Sequence, residues 1–174
     1  RTVTSHFSPD IYCWDVVNEA VEDKGSAVLR SSPWLEIAGE SFIEEAFRAA
    51  KENVPDALLF YNDYNTCVPE KREKIALLKG LLGKGVPIDG FGMQGHWNVT
   101  APSLDEIRRS IEAYASLGLK LQITEMDLSL YAQSDPTLPQ PGPAPAELVK
   151  RQTELYGDIF RIFREYKDVI QSVT

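Results

Sequence analysis

Metal-ligating side chains are scarce in this chain. Its 174 residues include two histidines, His6 and His96, and two cysteines, Cys13 and Cys67. They form no CxxC pair and no metal-ligand spacing, so no metal site is expected. Both cysteines lie in or beside strand-like segments, which favours buried free thiols over a disulfide. Basic charge is also short: 18 Lys and Arg against 26 Asp and Glu leave a net charge of −8. No Lys/Arg cluster interleaves with aromatics, which argues against nucleic acid or any other polyanion as a partner. No apolar run is long enough to span a membrane. The chain opens on Arg1-Thr2-Val3 with neither an initiator Met nor a signal peptide, as expected of a processed or excised piece.

What is present is the composition of an ordinary globular domain, 43% hydrophobic and 25% charged, with length enough for a core. A neutral or weakly charged substrate suits the acidic balance. Strand-like runs at residues 11–17, 57–61, 88–94 and 120–126 alternate with helical patterns at 37–53, 69–82, 104–117 and about 146–166. The first helix carries Phe42, Ile43, Ala46, Phe47 and Ala50 at helical spacing, and the third opens on a capping box, Ser103 and Glu106. An apolar turn and strand start follows at 169–173. A Pro-rich stretch at 127–145 reads as a functional rim or flap. The βαβα order implies an α/β fold with a parallel sheet.

Polar residues gather at one end of these strands. The first run, within WDVVNEA (14–20), stops at Asn18-Glu19; the second delivers Asn62, Asp63 and Tyr64; the third Gln94, His96 and Trp97; the fourth Glu125 and Asp127. The opposite ends read Ser8-Pro9-Asp10, Pro55-Asp56, Pro87 and Gly118. In a barrel, carboxyl-terminal strand ends converge on one mouth, where catalytic groups sit. Glu19 and Glu125 lie on strands three places apart, facing across that mouth. Two facing carboxylates are the equipment of glycoside hydrolysis, one as acid and the other as nucleophile or base. Glu125 and Asp127, two apart, can both reach the His96 imidazole. Asn18 and Glu19 are adjacent, so both serve one site only if the strand ends or bulges there. Tyr64, Trp97 and Tyr131 are candidate sugar-stacking rings, whereas Trp34 is either a rim residue or a staple for the helix after the first strand, the staple being favoured. The Asn98-Val99-Thr100 sequon is too common a motif to carry weight.

WDVVNEA (14–20), LFYNDYN (59–65), DGFGMQGHW (89–97) and ITEMD (123–127) resemble, in order and spacing, the motifs of glycoside hydrolase family 10, the endo-β-1,4-xylanases. The resemblance covers essentially the whole chain, so residues 1–174 are expected to be a partial catalytic domain of that family. It implies a (β/α)8 TIM barrel, present here as an incomplete piece of about four βα units, strands four to seven. It further implies hydrolysis of xylan with retention of configuration, Glu19 as acid/base and Glu125 as nucleophile. Asn18 and Gln94 would contact the sugar being cleaved, and His96 and Asp127 would tune the nucleophile. Asn62 and Tyr64 would shape the leaving-group side. No cofactor is implied. An extracellular, cell-surface or periplasmic location is expected, as is a second fragment or chain supplying the missing barrel segments.

Overall fold

Residues 58–63 read Leu-Leu-Phe-Tyr-Asn-Asp, and all but the first are buried. Burial on both faces is the mark of a parallel strand covered by helices. The structure, a computed structural model, describes residues 2–8, 10–131 and 143–174. A short helix α1 (Thr2–Phe7) precedes β1 (Cys13–Asn18). After α2 (Pro33–Ala38), a 3-10 turn and α3 (Phe42–Asn53) comes β2 (Leu58–Asp63). Helices α4 (Pro69–Ile75) and α5 (Leu77–Gly83) lead to β3 (Gly90–Met93) and β4 (His96–Asn98). Then follow α6 (Leu104–Ala115), β5 (Lys120–Ile123), β6 (Asp127–Ser129), α7 (Ala146–Glu165) and β7 (Ile170–Val173).

Strands β1, β2, β3, β5 and β7 pair in that spatial order, every pair parallel. The expected four strands are therefore joined by a fifth, since Ile170–Val173 pairs with β5. The two-residue-shorter β3 still hands its ladder on, because Gln94 N donates to Asp63 O. The helices bury apolar stripes on the sheet: Ile43 and Phe47 from α3, Ile107, Ile111 and Tyr114 from α6, and Ile159, Ile162 and Phe163 from α7. Each such side chain, fully buried, contributes about 1.5–3 kcal/mol. The Ser103–Glu106 capping box forms as expected.

Two helices differ from their sequence patterns. The pattern at 37–53 is broken because Gly39, at φ 68°, ends α2, which starts earlier on a Ser32 cap and Pro33. The pattern at 69–82 is broken at Ala76, whose N–H bonds Glu73 O in a tightened turn. Trp34 is no staple: it is 71% exposed and lines an open groove of about 520 Å³ with Val16, Val17, Asn18, Phe42 and Ala46. Cys67 is buried and Cys13 half-buried, both free, and burial pushes the Cys67 thiol up to about 12. Most of the Pro-rich stretch, residues 132–142, lies outside the described residues, but its start is not loop: β6 pairs in parallel with β4.

Candidate active site

The strand that ends in Asn18-Glu19 is irregular at two points, a bulge upstream of the pair and a left-handed turn at Glu19. In β1, Asp15 opposes Phe60 and Val17 opposes Tyr61, so Val16 is an inserted residue. This bulge sets Asn18 opposite Asn62, on the face that Asp15 shares with Phe60. Glu19 then takes a left-handed conformation, φ 55°, and its N–H bonds Asn62 O at 2.9 Å. Left-handed backbone at a residue with a Cβ costs about 1–2 kcal/mol, and it turns Glu19 to the same mouth as Asn18.

A second network holds the chain just beyond this turn. The Tyr61 hydroxyl accepts from Ala20 N (3.1 Å) and Val21 N (3.2 Å) and donates to Asp63 Oδ2 (2.6 Å). Asp63 Oδ1 meets Lys71 Nζ at 3.0 Å, and that ammonium also bonds Asp23 Oδ1 (2.6 Å) and Val21 O (2.8 Å). Lys71 and Asp63 are both fully buried. Burial raises the Asp63 carboxyl above its ordinary value despite the opposing pull of Tyr61 and Lys71.

In the mouth, amides connect the two glutamates. Gln94 Nε2 donates to Glu19 Oε1 at 2.9 Å and approaches Asn18 Oδ1 at 3.3 Å. Asn62 Nδ2 lies 3.0 Å from Asn18 Oδ1 and 3.1 Å from Glu125 Oε1. Thr124 Oγ1 donates to Asn62 Oδ1 at 2.8 Å, which fixes which end of that amide faces Glu125. The far oxygen of Glu125 meets His96 Nε2 at 3.2 Å, and His96 Nδ1 meets Asp127 Oδ2 at 2.8 Å. The β4–β6 pairing sets His96 directly opposite Asp127. Gly95, at φ 82°, makes the turn between Gln94 and His96; a Cβ there would meet Ile123 at 3.1 Å.

Glycines on β3 make room for the site. A Cβ at Gly92 would lie 2.3 Å from Asn62 Oδ1, and one at Gly90 would lie 2.2 Å from the Phe60 ring. The close approach is of side chains from β2, which explains two glycines in a buried strand.

Gln94 above all, with Arg30, holds the Glu19 carboxyl below its usual value against the effect of burial. Arg30 Nη1 sits 3.2 Å from Glu19 Oε2. The Asp127 hydrogen bond, with help from Glu125, raises His96 above its ordinary value.

The structure thus gathers Asn18, Glu19, Asn62, Gln94, His96, Glu125 and Asp127 into one hydrogen-bonded constellation. Tyr64 stands beside it, its ring 4.3 Å from Lys71 Nζ, with Asp23 and Arg30 as charged neighbours. Trp97 does not offer an open ring to the mouth: it is 7% exposed in the core, 6.3 Å from the Phe163 ring. Arg30, Thr124, Tyr61 and Lys71 join the site or its support without having been singled out in the sequence. For Thr124 a signal existed, its place beside Glu125 at a strand end.

Residues 1–174 match the model of the family described as Glycosyl hydrolase family 10. The chain is 55% identical to an endo-1,4-beta-xylanase of Geobacillus stearothermophilus, over 99% of this chain and 52% of the relative. A thermostable celloxylanase of Thermoclostridium stercorarium is 41% identical over 99% of this chain and 45% of its own length. Among solved structures, xylanase XynB from Paenibacillus barcinonensis, complexed with a conduramine derivative, aligns with a TM-score of 0.95 at 50% identity, covering 99% of this chain and 52% of that one. A mutant solved in complex with xylotriose aligns equally well, TM-score 0.95 at 48% identity, over 99% of this chain and 53% of that one. The chain spans about half the length of these two relatives.

Proposed function

The chain belongs to glycosyl hydrolase family 10, whose fold is a (β/α)8 barrel, and from that premise we propose that it carries the catalytic carboxylates of a retaining endo-1,4-β-xylanase. The observation that carries this reading is the unbroken line of contacts from Glu19 through Gln94, Asn18 and Asn62 to Glu125. It presents two carboxylates on one mouth with different surroundings, which is how two like groups are given two roles. Glu125 attacks the anomeric carbon while Glu19 passes a proton to the departing glycosidic oxygen. The resulting ester to Glu125 is then opened by water, whose proton returns to Glu19. Asn62 and His96, each on a different oxygen of Glu125, hold the nucleophile in place. Asn18 and Gln94 are set to bond the hydroxyls of the sugar being cleaved, and Tyr64 borders the leaving-group side.

Xylan and xylo-oligosaccharides are the proposed substrates, and an extracellular, cell-surface or periplasmic location is proposed with them, because polymeric xylan is too large to enter a cell. The proposed partner is the rest of the barrel. The outer edge of β1, beside the groove under Trp34, and the outer edge of β7 have no neighbouring strand among the described residues. Such edges call for further strands.

The test is xylan hydrolysis by the barrel completed with the segments its relatives carry, with product stereochemistry followed by NMR. Glu125→Ala is expected to abolish turnover and the first-formed product to be the β-anomer. Full activity in Glu125→Ala, or an α-anomer, would overturn the mechanism. The celloxylanase relative favours β-1,4-glucan as a second substrate, and comparing rates on xylan and soluble cellulose decides between them.

A further inference from the structure

A cation reaches the mouth on the side where a proton donor least needs one. Arg30 Nη1 lies 3.2 Å from Glu19 Oε2, with 41% and 27% of the two side chains exposed. The loop after Glu19 doubles back to bring it there: Glu22 N bonds Val28 O, Val21 bridges Leu29, and Arg30 N bonds Ala20 O at 2.8 Å. Tyr64 lies close enough to act on the guanidinium, so Arg30 stands between Glu19 and the leaving-group side. An acid acts best when it keeps its proton near the working pH, and a neighbouring guanidinium opposes that. In the second half of a retaining reaction the requirement reverses, because Glu19 must then be a carboxylate.

On the catalytic reading given above, we propose that Arg30 is a positioning residue for the base half of the reaction, its guanidinium pairing with Glu19 once the leaving sugar has gone. In that step the water oxygen bonds the anomeric carbon as the ester bond to Glu125 breaks. The electron pair returns to Glu125 and the water proton passes to Glu19. A sugar docking against Tyr64 competes for the same guanidinium, which releases Glu19 to carry its proton in the first half. The other charged or titratable groups around Glu19 are Tyr64 with Asp23 and Lys71 behind it, and, across the amides, Glu125, His96 and Asp127. Glu19 itself bonds Gln94 and pairs with Arg30, so Arg30 is the charge that acts on it directly.

The experiment uses the completed barrel and a dinitrophenyl xylobioside, whose leaving group needs no proton, so that hydrolysis of the glycosyl-enzyme sets kcat. In Arg30→Gln the acid limb of the kcat profile is expected to move up by roughly one pH unit, and in Arg30→Lys to stay near the parent. A limb that does not move, whether or not the plateau falls, overturns the proposal. Carbon-13 NMR titration of Glu19 in the same variants reads the ion pair without turnover. A Glu19 titration that shifts in Arg30→Gln while Glu19→Ala still cleaves xylan at the parent rate sinks the catalytic reading and, with it, this role for a real ion pair. A Glu19 titration that does not shift sinks the Arg30 proposal alone.

Discussion

Asn62 bonds Glu125 through an amide whose orientation Thr124 determines. Thr124 Oγ1 is 2.8 Å from Asn62 Oδ1, and Asn62 Nδ2 is 3.1 Å from Glu125 Oε1. Thr124→Val keeps the shape and removes the hydroxyl, so the amide loses the bond that aims its NH2 group at the carboxylate. In the completed barrel, kcat is expected to fall about 10- to 100-fold, the scale of small misplacements at reacting groups, with about 1–3 kcal/mol of stability lost because the buried Asn62 Oδ1 loses its partner. Unchanged kinetics in Thr124→Val would mean that Asn62 is aimed by something else.

Gly92 guards the same amide from the other side. The Cβ of Gly92→Ala would stand 2.3 Å from Asn62 Oδ1 and 3.0 Å from Thr124 Cγ2. Overpacking of this kind costs about 1–3 kcal/mol. Here the displaced group is Asn62, so activity should fall further than stability does. Urea unfolding beside kcat/KM checks this; a variant that loses stability alone would place the strain elsewhere.

Most of this constellation is visible in the sequence, because strand-like runs that end in amides and carboxylates betray a common mouth. The strand's end in a left-handed Glu19 follows from having Asn18 and Glu19 side by side, whereas the bulge at Val16 lies upstream of the pair and sets only the face of Asn18. Trp97 was readable too: adjacent residues on a strand face opposite ways, so a His96 that faces the mouth sends Trp97 into the core. Arg30 was not readable. Its loop has no periodicity, and it reaches Glu19 through the Val21–Leu29 bridge, a contact that no local pattern announces. Lys71 sits in PEKREKI, whose charges read as a solvated helix face, yet it is the buried one because Asp63 and Asp23 converge on it. The fifth strand was legible as an apolar turn and strand start, and its pairing with β5 completes it.

His96 is expected to bind its proton more tightly in the folded protein than in the unfolded chain. Asp127 is the chief cause and Glu125 adds to it. The sign follows: the stabilisation is fully present below the unfolded value of about 6.5 and is lost as pH rises through the higher folded value. Asp127→Asn should bring the His96 titration back down and flatten stability over that window, as measured by imidazole NMR and by urea unfolding across pH. A His96 that titrates at the same pH in parent and Asp127→Asn would remove Asp127 from this role.

Lys71 tests whether the buried network holds the Glu19 turn. Its ammonium joins Asp63, Asp23 and the Val21 carbonyl with 1% of the side chain exposed. Lys71→Met removes the cation and leaves Asp63 buried without it. Breaking a buried pair in this way costs about 3–5 kcal/mol, and a matched Lys71→Met/Asp63→Asn double variant should recover part of that loss. The backbone after Glu19 would stay tied to β2 through the Tyr61 hydroxyl at Ala20 and Val21. The double variant is therefore expected to regain stability while kcat stays reduced, since Val21 and Asp23 have lost their anchor. Denaturant unfolding and xylan hydrolysis on the same preparations decide the matter. Full recovery of both in the double variant would make the network a stability element with no hold on Glu19.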